Sequence, residues 1–90
     1  MRETVEMTDV FKGASFLCNG AELVEVKALG KNTVIFTFEA EDIYRMEVNY
    51  GRGEMLVNPA ELRERLNLLR DLMFQKLREY EYGQTLEMAR

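Results

Sequence analysis

The chain contains no histidine, which removes the commonest general base and a favoured metal ligand. Its single cysteine, Cys18, excludes an internal disulfide and a cysteine metal cluster. Residues 1–7 hold no apolar run of signal length, and no stretch approaches the roughly 20 apolar residues of a membrane helix. Positive charge is also short, with 12 Lys and Arg against 16 Asp and Glu and a formal charge of −4. That balance argues against nucleic acid or a membrane surface as the default partner. These absences leave the expectation of a soluble, cytoplasmic protein with no cofactor.

The 90 residues are 47% hydrophobic and 31% charged, the composition of one small globular domain. Its organising stretch is Glu22 to Glu39. Val24, Val26 and Ala28 alternate with Glu25, Lys27 and Leu29. After Gly30-Lys31-Asn32, Val34, Phe36 and Phe38 alternate with Ile35, Thr37 and Glu39. β-Branched and aromatic residues at a period of two, broken by a Gly/Asn turn, predict an antiparallel β-hairpin. For the two valines to share a face with the phenylalanines, the loop must hold an odd number of residues. The expected register sets Val26 opposite Val34 around a loop Leu29-Gly30-Lys31, with positive φ at Gly30 or a neighbour.

Helices are expected on either side. Thr8-Asp9 offers an N-cap, and Val10, Phe11, Ala14, Leu17 and Cys18 follow as one apolar stripe. Gly13 weakens that helix but admits close packing on the sheet, and Asn19-Gly20 ends it. Phe16 projects about 100° from the stripe, so it is read as exposed and a candidate contact residue. Residues 1–7 are a lead-in, readable as an edge strand or a frayed terminus. Ala40 to Tyr50 reads as either state: Tyr44, Met46, Val48 and Tyr50 alternate as in a strand, while Ile43, Met46 and Tyr50 form a helical stripe. Gly51-Arg52-Gly53 is a turn, and Glu54 to Val57 is a short extended segment that suits a third strand.

Asn58-Pro59-Ala60-Glu61 is the sharpest boundary, an N-cap followed by the chain's one proline at the first helical position. Leu62, Leu66, Leu69, Met73, Leu77 and Tyr80 run down one face, with Gly83 as the expected stop and residues 84–90 as a frayed tail. About 24 residues at about 1.5 Å each give roughly 36 Å, against about 31 Å across a compact chain of this size. The distal turns should overhang the core. Leu68 and Leu72 widen the apolar arc on one side and Phe74 on the other. Overhang plus width points to a partner helix, most simply that of a second copy. The candidate interface is Phe16, Leu68, Leu72, Leu77 and Tyr80, with an unidentified protein as the other possible partner.

Little in the sequence supports catalysis. Cys18 sits on an apolar stripe with nothing nearby to lower its pKa, and Ser15 has no base. Neither glycine turn matches a phosphate loop, which needs a Lys-Ser/Thr pair opening a helix. Glu25-Val26-Lys27 has the Glu-x-Lys form of metal-dependent nucleases, in which strand carboxylates hold Mg²⁺. Glu22, Glu39 or Asp42 would supply the second acid, and this small nuclease is the alternative to a non-enzymatic protein. On the last helix Arg63, Arg65, Arg70, Lys76 and Arg78 are balanced by Glu61, Glu64, Asp71, Glu79 and Glu81, so nucleic acid is weakly supported.

Thr8-Asp9-Val10-Phe11, Ala14-Ser15-Phe16-Leu17, Gly20, Phe36-Thr37-Phe38-Glu39, Tyr50-Gly51, Val57 and Leu69-Arg70-Asp71-Leu72 together resemble the domain-of-unknown-function family 5659. The resemblance spans residues 8–74. It implies an α-β-β-helix order with a long final helix, and a helical segment before the tyrosine, which favours helix over strand for Ala40–Tyr50. Such proteins are small, bacterial or phage-borne, and have no assigned activity, so no site residues carry over. Gly51-Arg52-Gly53 here replaces a plainer Asn-Gly turn, and the Glu-x-Lys pattern is not a family feature. The expected fold is α+β: an N-terminal helix, an antiparallel hairpin, a short helix or strand, and a long C-terminal helix over residues 8–83. The expected role is a non-catalytic, self-associating interaction module.

Overall fold

A computed structural model describes residues 2–88, with side chains described through Gly83. The element order is β1 (Glu3–Met7), α1 (Val10–Cys18), β2 (Glu22–Ala28), β3 (Val34–Ala40), α2 (Ile43–Gly51) and α3 (Pro59–Met88). The fold is α+β. Its sheet is antiparallel, three-stranded and ordered β1-β3-β2. Helical cover lies on one face, where Val34, Phe36, Phe38 and Ala40 are buried along β3.

The lead-in therefore has a structural role. Residues 3–7 pair with β3 from Glu3 opposite Ala40 to Met7 opposite Phe36, so the third strand comes from the N-terminus. Glu54 to Val57 is extended but joins no strand. β3 is thus central, which suits its phenylalanines: a strand flanked on both sides and covered by helix can bury whole aromatic rings. Phe36 and Phe38 stack with ring centroids 6.4 Å apart.

The hairpin keeps the expected face but not the expected register. Val26 lies opposite Phe36 and Ala28 opposite Val34, a shift of two residues that leaves the apolar sets on the same side. Leu29 N–H donates to the Thr33 carbonyl at 2.9 Å, closing the odd loop Gly30-Lys31-Asn32. No residue of that loop has positive φ, so the glycine is not used as expected. A bulge between Leu23 and Glu25 breaks the alternation. Leu23 pairs with Phe38 and packs on the core, while Val24 is the extra residue and is exposed.

Helix boundaries follow the caps. Asp9 Oδ1 accepts from the N–H groups of Phe11 and Lys12, and Asn58 Oδ1 from those of Ala60 and Glu61. α1 and α2 both close with a glycine in the left-handed region, Gly20 at φ 97° and Gly53 at φ 73°. After α1, Ala21 N–H reaches the Phe16 carbonyl and Gly20 N–H that of Leu17; Glu54 and Gly53 do the same to Asn49 and Tyr50 after α2. Gly83 lacks positive φ and does not stop α3, which continues to Met88. The expected tail is helical over 84–88, and residues 89–90 lie outside the described residues. Residues 43–51 are helix, with Ile43 and Met46 buried and Tyr44 79% exposed, against the strand alternation.

α1 buries a different face from the one expected. Gly13, Ala14, Ser15 and Phe16 are buried, and Phe16 is 0% exposed, whereas Phe11 faces solvent. Phe16 meets Tyr50 of α2 edge-on at 6.2 Å. The reason is that α1 is covered from three sides: by the sheet, by α2 and by α3. A stripe argument assumes one covered side. Gly13 sits at the closest approach. A Cβ there would lie 2.8 Å from Phe38 Cζ and 3.1 Å from Leu69 Cδ1, and both side chains are fully buried.

Gly13→Ala should therefore destabilise the protein, although alanine is the better helix former by about 1 kcal/mol. Overpacking costs about 1–3 kcal/mol, so a net loss of about 1 kcal/mol is expected in urea unfolding, and a larger loss for Gly13→Val. A stabilised Gly13→Ala would show that the helix does not approach the ring so closely.

Candidate functional site

α3 is positioned by a single line of side chains. Leu62, Leu66, Leu69, Met73 and Leu77 pack on the core, with Leu69 fully buried between α1 and β3. α3 crosses α1 and runs along β2. Among the residues whose side chains are described, Leu77 is the last packed there, and the helix continues to Met88. Its 30 residues rise about 45 Å. The molecule measures 50 × 30 × 18 Å, with a radius of gyration of 14.8 Å against about 12 Å for a compact chain of this length. The overhang is real.

The five candidate interface residues separate here. Phe16 is core and touches no surface. Leu77 is committed to the core, and Leu72 and Tyr80 are half-buried. Leu68 is 43% exposed. It lies with Leu72 on a flank that turns away from the sheet. Tyr82, 67% exposed, belongs to the same flank, because the spacing Leu68, Leu72, Gln75, Glu79, Tyr82 alternates fours and threes. That heptad step was legible in the sequence but is diluted by two polar positions. Gln75 Nε2 donates to Glu79 Oε1 at 3.4 Å, and Lys76 pairs with Glu79 at 3.4 Å. Phe74 is exposed on the opposite flank.

The Glu-x-Lys residues lie on β2, paired with Thr37 and Ile35 on the open face of the sheet. Two of their proposed partners are already engaged. Glu22 and Glu39 stand directly opposite each other, and Arg2 answers both, with Nε 3.0 Å from Glu39 and Nη2 3.4 Å from Glu22. Two carboxylates facing across a ladder repel, and Arg2 relieves that repulsion. Asp42 lies at the start of α2 and makes no side-chain capping bond. Among the described residues no group of three or more Cys, Asp and Glu is placed to hold a metal ion.

Ser15 donates to the Phe11 carbonyl at 3.0 Å, the back-bond of a buried helical serine. Cys18 is half-buried, and its thiol is pushed above its ordinary range by burial first and the Glu61 carboxylate second, with Arg65 opposing. Lys12 joins α1 to α2. Its Nζ lies 2.9 Å from Glu47 and within 6 Å of the Phe16 and Tyr50 rings, at 5.8 and 5.6 Å. A shallow cleft of about 530 Å³ runs beside α2, lined by Arg2, Asn19, Arg45, Asn49, Glu54 and Leu56 among others. Both charge signs are mixed along it. Among the described residues no helix is long and apolar enough to cross a membrane.

The chain matches no known family model, no curated protein and no solved structure. None of these comparisons lends support to the resemblance to family 5659.

Cys18 should react slowly with iodoacetamide at pH 8 and recover ordinary thiol reactivity in urea, because the raised pKa depletes the thiolate. The same shift lowers stability as pH rises through the ordinary thiol range, where the unfolded chain releases this proton first. Equal labelling rates with and without urea would contradict the burial.

Proposed function

We propose that the protein is a small, non-catalytic interaction module of the cytoplasm that forms a homodimer through the outward flank of α3. The observation that carries this reading is that α3 runs on to Met88, past Leu77, the last residue packed on the core among those whose side chains are described. An isolated helix end in water is marginal. A second copy of the same flank would give Leu68, Leu72 and Tyr82 an apolar partner and support those turns. Two-fold pairing needs only one self-complementary patch. The near-balance of acid and base along α3 leaves such pairing without strong charge repulsion. An accessory role with a mobile element follows from the resemblance alone.

Light scattering across a concentration series is the test. The expected result is a dimer that dissociates on dilution, and Leu68→Glu with Tyr82→Glu should shift it to monomer without loss of helical circular dichroism, since neither side chain belongs to the buried core. A monomer at every concentration would overturn the proposal.

A further inference from the structure

The two edges of the sheet are not alike. β2 is broken by the bulge at Leu23–Glu25 and is flanked by α3. Bulges and covering helices are the usual means of stopping a strand from accepting another. α1 and α2 touch β1 less extensively than α3 touches β2, and the strand is unbulged over its five residues, holds no proline or glycine, and among the described residues pairs only with β3. One side of its backbone faces outward, and Glu3, Thr4 and Glu6 are exposed.

Its side chains give the edge a specific chemistry. Val5 and Met7 lie opposite Phe38 and Phe36 and so share the helix-covered side, with Glu3 at its rim opposite Ala40. Glu6 and Thr4 share the open side with Thr37 and Glu39. Arg2, the nearest cation in sequence, is bound to Glu22 and Glu39. The edge therefore presents one carboxylate on each side of the sheet, three residues apart.

We propose that β1 accepts an extended basic segment of a partner protein as a fourth, antiparallel strand. Opposite Met7, Glu6, Val5, Thr4 and Glu3 in turn, the segment reads apolar, Lys or Arg, apolar, Thr, Lys or Arg. Each cation meets one carboxylate, and the apolar residues continue the covered side beside Val5 and Met7. Backbone pairing supplies the affinity and the alternate side chains the choice. A second copy of β1 is the poorer occupant. Registers that set Glu3 against the other copy's Glu6, or Glu6 against itself, oppose carboxylates directly, and the register centred on Val5 leaves the two Glu6 groups diagonal and close. The charges that discourage self-pairing thus select a basic strand.

The test is an NMR titration of the full chain with the acetylated, amidated peptide Thr-Val-Lys-Val-Thr-Lys-Thr, and with a control in which glutamate replaces both lysines. The expected result is saturable shifts centred on residues 3–7, new exchange protection of the outward β1 amides, and about tenfold weaker binding of the control, the scale of two lost cross-strand charge pairs. Glu3→Lys with Glu6→Lys should reverse the preference. Equal binding of the two peptides, shifts centred on β2, or no added protection in β1 at millimolar peptide would overturn the proposal. So would β1 protection that rises with protein concentration alone, which would assign the edge to a second copy.

Discussion

The close approach of α1 to the central strand governs the rest of the structure. At Gly13 there is no room for a methyl group between the helix backbone and the Phe38 ring, and Leu69 of α3 closes the same point from the other side. One missing side chain lets three layers meet. Phe16, Phe36, Phe38 and Leu69 are the largest fully buried side chains, and all four belong to elements that meet at or beside this point. In a chain of 90 residues that is a large share of the available core.

Around this junction the molecule is tied by short polar links. Asn19 is the fullest example. Its backbone N–H caps α1, and its side-chain amide donates to the carbonyls of Ser15 and Leu56, fastening the extended segment 54–58 to the end of α1. That segment needs such a tie because it has no ladder of its own. Lys12 acts similarly between α1 and α2, with part of its stabilisation from the rings of Phe16 and Tyr50 and part from Glu47. Partial burial makes that pair more persistent than the more exposed Lys76–Glu79 pair of α3.

The sheet is covered on one face and open on the other, and the open face is acidic. Glu6, Glu25 and Glu39 line it with Lys27, and Arg2 ties Glu39 to Glu22 at one end. The Glu-x-Lys residues Glu25 and Lys27 lie on this open face, paired with Thr37 and Ile35. The outward features on which the proposed contacts rest are a flank of α3 and the β1 edge of the sheet.

Local chemistry was legible in the residues themselves. Asp9 and Asn58 as caps, Gly20 as a left-handed terminus, the paired strands and the long final helix all depend on neighbours within a few positions, and a sequence displays such neighbours directly. Even Gly13 could be marked as a place for close packing. Only the tertiary structure decided that residues 3–7 complete the sheet, that Val24 is expelled by a bulge, that Phe16 is core, and that Gly83 does not end α3. The first three depend on what lies across space: a partner strand 29 to 37 residues away, and a second and third helix around α1. Periodicity assigns one inner side to each element. In so small a protein α1 is enclosed from several sides, and its pattern alone could not say which.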